Sequence, residues 1–493
     1  MGLRSPEQYL ASLRDGRQVF YRGEAVADVT THPHLGRGAQ HLTVDFRLAE
    51  DPAVRPLAVT DDPEDGRPVS RYFCIPRSPH DLQLRSRLIT TVTRAAWSFV
   101  PLIKEIGTDA LFALTVVTAA MDRELGTQFL PRVRAFHRHC RDGDLAMAVA
   151  QTDVKGDRAR RPSEQPHPDL YVRVVERRRD GIVVRGAKAH TTNAVFSNEI
   201  VVLPTRALGE ADADYAVAFA IPADTPGLTM VASPRGFGAT SEFDNPLSSR
   251  YSLTESLTIF DNVFVPTDRV FLDGQWQFAG QLARTFVEFH RFTAIAYKPP
   301  LLELLLGAAA LAADANGIAG APHVRDKLAR LAMYLHTVTG LTTAAATACR
   351  VRDGVAVPDV VLTNVAKYHF ARGYHEAVRD VQDIAGGLVV TGPSEDDWRN
   401  PAVRRLVEPY LQGRSGWDGE QRLRLMNLVR DLCASDLGGY LEVLAIHAEG
   451  SLETQKLTIL ADANLEDAAA YAAAAARLRF PVHPPAGNRG PGA

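Results

Sequence analysis

The stretch HRFTAIAYK, residues 290–298, sets His290, Ala294 and Lys298 at successive i, i+4 steps, so a helix would place an imidazole and an ammonium on one face. Such a pair could serve as acid and base, because imidazole titrates near neutrality. A metal reading has less behind it. The stretch has no H-x-x-x-H, no H-E-x-x-H and no nearby cysteine. A lone histidine of this kind is more often a packed helix histidine than a catalytic one.

Three other stretches carry polar chemistry. In QTDVKGDRARRP, residues 151–162, Gly156 would let a ligand approach the backbone, and Lys155, Arg158, Arg160 and Arg161 suit phosphate or the electron-rich end of a flavin. A solvated basic turn is the competing reading. In AKAHTTNAV, residues 187–195, the hydroxyls of Thr191 and Thr192 at a strand end could bond a ring nitrogen or carbonyl, although threonine is also simply a good strand residue. In DIAGGLVVTGPSE, residues 383–395, a glycine pair follows a helix, as a cap or as a close approach to a cofactor. It is no G-x-G-x-x-G fingerprint and no strand precedes it, so a Rossmann site is not supported.

The elements that must position these residues change period twice. Residues 1–148 read mainly as helix: SPEQYLASLRDG opens with Ser-Pro-Glu and ends at a glycine, and Asp109 can cap a helix in TDALFALTVVTAAMDREL. Residues 149–275 read as strands, with Asp180-Gly181 a hairpin turn inside DLYVRVVERRRDGIVVRGAK. Between two of these strands, ASPRGFGATSEFDNPLSSRYS is long enough for a lid or binding loop, or for a mobile excursion. Residues 276–480 return to helix: Val324, Leu328, Leu331, Leu335, Val338 and Leu341 step by three and four, and LLELLLGAAALAAD is apolar nearly all round, as a helix buried between others would be. Residues 481–493, rich in Pro and Gly, are expected to be disordered.

The chain has 493 residues, enough for two or three packed units, with 46% hydrophobic and 23% charged residues and a formal net charge of −3. Nothing there favours nucleic acid. The N-terminus has no signal-peptide pattern, and the longest uncharged apolar window falls short of the roughly 18 residues of a membrane span. A soluble cytoplasmic protein without membrane contact is expected. Cys74, Cys140, Cys349 and Cys433 are scattered without ligand-like spacing, so neither a disulfide framework nor a cysteine metal site is expected.

The runs SPEQYLASLRDGRQVFYRGEAVADVTTHP, TDVKGDR, HPDLYVRVVE, DGIVVRGAKAH, DYAVAFAIPAD, FDNVFVP, GAAALAADANG and DIAGGLVVTGPSE cover nearly the whole chain. Together they resemble the family that joins the FAD-using component of 4-hydroxyphenylacetate 3-monooxygenase with 4-hydroxybutyryl-CoA dehydratase, with wording closer to the dehydratase branch. The resemblance implies an α+β, acyl-CoA dehydrogenase-like fold: an N-terminal helical domain, a central β-barrel and a C-terminal helical bundle, assembled as a homotetramer. It places FAD along Gln151, Thr152, Asp153, Lys155, Gly156, Asp157 and Arg158 and along His190, Thr191, Thr192 and Asn193, with Ala385, Gly386, Gly387 and Leu388 reaching a neighbouring subunit's flavin. It makes Thr192, Glu255, His290 and Lys298 the catalytic candidates, with Glu442 a less secure acid.

The departures from the family pattern matter as much. The dehydratase holds a four-iron four-sulfur cluster by one histidine, matching His290, and three cysteines; here Tyr297 stands at one cysteine position and the others fall near Pro101 and Glu105. No cluster and no metal are therefore expected. The phenol hydroxylases hold phenol with a Gly-Arg-Ser-Pro-Asp-Tyr stretch, where this chain has AWSFVPLIKEIG, and their substrate histidine falls near Val149 or Ala150. Trp97, Phe99 and Tyr297 would line the substrate pocket instead, unless Trp97 and Phe99 are plain helix core. The resulting expectation is a monooxygenase that takes reduced FAD from a separate reductase and hydroxylates a small organic substrate. A cluster-free flavin-dependent dehydratase, isomerase or desaturase is the alternative, and a flavin-free binding scaffold is a third.

Overall fold

Ser5 starts the first helix as its spacing requires: its hydroxyl accepts from the Gln8 amide, the Gln8 side chain returns to the Ser5 amide, and Pro6 takes the first helical position. The computed structural model describes residues 2–62, 65–233 and 241–478. Its first part holds helices α1 (Pro6–Ala11), α2 (Leu35–Leu42), α3 (Val44–Glu50), α4 (Arg55–Ala58), α5 (Pro79–Ala95), α6 (Glu105–Leu125) and α7 (Phe129–Asp142). It also holds the short strands β1 (Gln18–Tyr21), β2 (Glu24–Ala25), β3 (Val59–Asp61) and β4 (Pro68–Ser70).

The middle of the chain forms β5 (Met147–Ala150), β6 (Arg173–Arg177), β7 (Gly181–Lys188), β8 (Glu199–Val202), β9 (Val217–Pro222), β10 (Leu228–Ala232), β11 (Ser256–Pro266) and β12 (Val270–Asp273). β6 and β7 are the hairpin expected around Asp180-Gly181, with Arg177 opposite Ile182. The expected barrel is built as two sheets, ordered β2-β1-β10-β11-β7-β6 and β12-β9-β8-β5. They share one core, in which Phe219 of β9 meets Phe260 of β11 edge to face. β1 pairs in parallel with β10, Gln18 opposite Thr229. The N-terminal strands β1 and β2 thus complete a sheet whose remaining strands come much later in the chain.

The last part is the helical bundle: α8 (Trp276–Ala315), α9 (Pro322–Thr347), α10 (Val360–Ala385), α11 (Leu388–Thr391), α12 (Glu395–Arg399), α13 (Pro401–Val407), α14 (Gly419–Cys433), α15 (Asp436–His447), α16 (Leu452–Asp462) and α17 (Leu465–Ala475). α8 is long and apolar enough by composition to cross a membrane. It is instead a core helix, packed against α5, α6, α9 and α10, with Arg291 and Lys298 buried along it. Pro299 and Pro300 lie inside α8, so the carbonyls of Ile295 and Ala296 lose their helical partners. Thr342 of α9 donates to the first at 3.1 Å and Thr90 of α5 to the second at 2.8 Å. Neighbouring helices thereby clamp the turn that carries Tyr297 and Lys298.

Three local expectations change. Asp109 lies inside α6, fully buried, and Lys104 is the residue that precedes the helix. Trp97 and Phe99 follow the end of α5 on a loop, not a helix, with Trp97 (φ +50), Ser98 (φ +78) and Leu102 (φ +53) all left-handed. The loop after β10 is fastened rather than free over residues 241–252. The Asp431 carboxylate of α14 accepts from the Leu247 and Ser248 amides at 2.9 Å and from the Ser248 hydroxyl at 2.7 Å. Residues 234–240 and 481–493 lie outside the described residues.

Candidate active site

The clamped turn of α8 faces a carboxylate brought from the far end of the chain. After α15 the backbone turns through Glu449 in a left-handed conformation (φ +56), followed by Gly450 (φ +98). The Glu449 carboxylate meets the Lys298 ammonium at 3.1 Å and the Lys367 ammonium of α10 at 3.4 Å, and accepts the Tyr297 hydroxyl. The Glu449, Lys298 and Lys367 side chains are buried, and Tyr297 is partly buried. Burial alone would raise the Glu449 carboxyl, but Lys298, Lys367, His290 and the Tyr297 hydrogen bond outweigh it and hold it at about 2. Burial pulls the Lys298 ammonium down to about 8, against the attraction of Glu449 and with the help of Lys367. Burial, and then the Glu449 charge, push the Tyr297 phenol well above its ordinary range.

A second carboxylate stands beside this group. Glu255, one residue before β11, receives the Thr192 hydroxyl at 3.0 Å and the Tyr440 hydroxyl of α15 at 3.1 Å. Its charge and that of Tyr440 act on Tyr297, so the two carboxylate groups adjoin. His290 lies one side of them, its ring stacked on Phe286 at 5.3 Å and its Nδ1 3.4 Å from Asp109, a long contact. Asp109 is fixed by Arg85 at 2.7 Å and by the Thr293 hydroxyl at 2.9 Å. The four catalytic candidates thus fall in one region. Sequence reasoning missed Glu449, Tyr440 and Lys367, and Asp109 in this role. Glu442 stands elsewhere, beside Cys433 and Tyr374.

The two stretches assigned to FAD are stitched together next to Glu255. Lys188 bridges to Asp153 at 2.7 Å and donates to the Gln151 carbonyl at 2.8 Å, and the Ala189 amide donates to the Thr152 carbonyl at 2.8 Å. Asp153 also takes the Thr205 hydroxyl and is spent on holding the fold. Gly156 (φ +53) has protein, not open space, where a side chain would go: a Cβ would lie 2.5 Å from Leu170 and 2.7 Å from Gln165. Asp157 and Asp212 pair with Arg160 and Arg161. His190 and Asn193 are left-handed, and the Asn193 amide bonds the Pro101 carbonyl at 2.7 Å. The Thr191 hydroxyl is buried without a hydrogen-bond partner among the described residues, an unfilled bond beside Thr192 that a flavin heteroatom fits.

The remaining candidates are more dispersed. Gly386 (φ +78) caps α10, Gly386 and Gly387 are exposed, Ala385 is buried, and Leu388 packs towards Trp398 and Leu423. Trp97 is half exposed, while Phe99 is buried against Tyr251 at 5.8 Å and the edge of His41. Glu105 accepts the Tyr72 hydroxyl at 3.1 Å and Tyr297 bonds Glu449. Among the described residues no group of three or more His, Cys, Asp or Glu side chains could hold a metal ion.

A helical, β, helical chain that buries paired carboxylates, a lysine and tyrosines beside a stitched loop has the build of an enzyme with the acyl-CoA dehydrogenase-like fold. The chain belongs to the 4-hydroxyphenylacetate 3-hydroxylase family, whose N-terminal model matches residues 5–272 and whose C-terminal model matches residues 279–477. It is 33% identical to 4-hydroxybutyryl-CoA dehydratase/vinylacetyl-CoA-Delta-isomerase of Clostridium aminobutyricum, over 94% of this chain and 97% of that one. It is 32% identical to the 4-hydroxyphenylacetate 3-monooxygenase oxygenase component of Thermus thermophilus, over 89% and 90%. A solved oxygenase component of 4-hydroxyphenylacetate 3-monooxygenase, complexed with FAD and 4-hydroxyphenylacetate, superposes with a TM-score of 0.90 at 29% identity, over 96% of this chain and 98% of that one.

Proposed function

We propose that this chain is a FAD-dependent monooxygenase that takes reduced flavin from a separate reductase and hydroxylates a small organic substrate, working as a homotetramer. The observation that carries this reading is the occupancy of the cluster positions. Tyr297, and the region near Pro101 and Glu105, are where the resemblance puts the dehydratase's thiolates, and the bonds of Tyr297 to Glu449 and of Glu105 to Tyr72 support a site without them. Gln151, Thr152, Arg158 and residues 190–193 would hold FAD, with Thr191 offering its unpaired hydroxyl. When bound, reduced FAD would supply the electrons that activate oxygen.

The chain's own groups position the substrate and handle protons. Glu255, held by Thr192 and Tyr440, can take a proton from a substrate hydroxyl at its carboxylate oxygens. Lys298, near 8, exchanges a proton at Nζ close to neutral pH, with Glu449 stabilising the charged form. Tyr297 and Phe370 beneath the Lys298 ammonium keep water from it. A second reading, a cluster-free dehydratase, isomerase or desaturase, is favoured by the 33% identity to the dehydratase and by the same Lys298–Glu449 pair.

The test loads the protein with FAD, reduces it without air, and mixes it with 18O-labelled oxygen and panels of phenols and acyl-CoA thioesters. Label in the product supports the monooxygenase. Conversion of a thioester without oxygen replaces it with the second reading.

A further inference from the structure

His41 of α2 is buried and belongs neither to the flavin stretches nor to the Glu449 group, yet it stands between two segments that border the site. Its Nε2 lies 2.8 Å from the Phe99 carbonyl oxygen and its Nδ1 lies 3.0 Å from the Ser252 carbonyl oxygen. Phe99 is on the loop after α5, where Trp97, Ser98 and Leu102 are left-handed without being glycine. Ser252 comes shortly before Glu255. The imidazole sits edge-on to Phe99 at 6.2 Å and to Tyr251 at 5.3 Å, and those two rings stack on each other at 5.8 Å. A second tie runs alongside: the Asn193 side chain donates to the Pro101 carbonyl at 2.7 Å and accepts the Thr254 amide at 3.1 Å. The same loop and the same segment are thus joined twice. Asn193 has a donor for one end and an acceptor for the other, whereas His41 faces an acceptor at both ends.

A carbonyl oxygen only accepts, and a neutral imidazole carries one N–H, so both bonds close only on the imidazolium. Burial pulls the ring below its ordinary range, the two carbonyls pull the other way, and Arg47 of α3 adds to the burial. The second proton therefore leaves as pH rises through a value below the usual histidine range. Tyr251 faces the ring from the segment before β11, with Arg250 and Glu242 acting on it, and residues 96–102 bring no titratable side chain. Left-handed backbone without glycine persists only where its surroundings over-determine it, so the loop depends on these ties. We infer that His41 is a positioning residue that joins the Phe99 loop to the segment carrying Glu255, and that it closes both ties only when each ring nitrogen bears a proton. Its bearing on a substrate rests on the role proposed above for Glu255.

Hydrogen–deuterium exchange of the full chain, read by mass spectrometry on peptides covering residues 96–102 and 250–256, tests this in the wild type, His41→Gln and His41→Phe. With the intrinsic effect of pH on exchange corrected, one of the two wild-type segments is expected to exchange about tenfold faster at about pH 7.5 than at about pH 5, as the tie on its side opens. His41→Gln places a non-titrating amide near the Nε2 position and should keep residues 96–102 equally protected at both pH values. His41→Phe fills the space without a donor and should exchange faster in both segments, with no dependence on pH. Where His41→Phe does not fold, the loss of the pH step in His41→Gln carries the test. A wild type without the step, or a step that persists in His41→Gln, overturns the inference. None of these measurements needs flavin or substrate. Failure to bind FAD would defeat the proposed function and leave the tie standing, while a flat exchange profile in a protein that binds FAD would defeat the tie alone.

Discussion

Replacing Glu449 by glutamine keeps its shape and its bond to Tyr297 but removes the negative charge between two buried lysines. The magnitude follows from the two titration shifts. A carboxyl held at about 2 against an ordinary 4.5 is favoured in its ionised form by roughly 3 kcal/mol, and a lysine at about 8 against 10.5 costs roughly the same. The pair is therefore nearly neutral in sum, and removing one half unbalances it. Glu449→Gln is expected to destabilise the protein by about 3–5 kcal/mol at neutral pH, the cost of uncompensated buried charge. The sign with pH is fixed. Glu449 contributes fully above pH 4.5, and its contribution is lost as pH falls towards about 2; Lys298 imposes its cost below about pH 8 and is relieved as pH rises from there towards 10.5. The gap between the wild type and the variant should be widest near neutrality and narrow in the alkaline range, where Lys298 is neutral in both. Thermal unfolding of the two proteins at about pH 6.5 and about pH 9.5 reads this directly. Midpoints that coincide, or a gap equal at both pH values, would refute the assignment of Glu449 as the counter-charge.

Further outcomes follow from single contacts. Glu255→Gln should lower turnover by about 10²–10⁴-fold with little change in thermal midpoint, because Thr192 and Tyr440 still find an acceptor there; steady-state kinetics beside a melting curve checks both halves. Thr90→Val or Thr342→Val should cost about 1–3 kcal/mol by leaving a carbonyl of α8 unpaired, while the serine variants keep most of the stability in denaturant titration. His290→Ala should slow turnover if the ring exchanges protons, and unchanged kinetics would return it to packing against Phe286. Gly186→Ala should unfold at lower denaturant, since φ is +134 there and a Cβ would stand 2.6 Å from the Tyr171 carbonyl oxygen.

The physical range of each signal decides what the sequence reveals. Ser5, Pro6 and Gln8 act within one turn, and Asp180-Gly181 acts within one hairpin, so both are legible from neighbours alone. β1 is not, because its partner β10 lies about two hundred residues on and a four-residue strand carries little period of its own. The site divides in the same way. His290 and Lys298 share a helix face that spacing can find, and Thr192 and Glu255 sit in runs specific enough to compare. Glu449 has no such mark: it is one of two glutamates in GYLEVLAIHAEGS, and only the left-handed turn before Gly450 separates it from Glu442. That turn can be read as a consequence of function. A left-handed glutamate whose charge is buried carries a backbone cost and a desolvation cost at once, and a fold keeps such a residue where two cations require it. The prolines of α8 argue in the same direction. Pro299 and Pro300, immediately after Lys298, free the carbonyls of Ile295 and Ala296 just before it, and a threonine from each of two helices closes them again, so the position of Lys298 is held from both its side chain and its backbone.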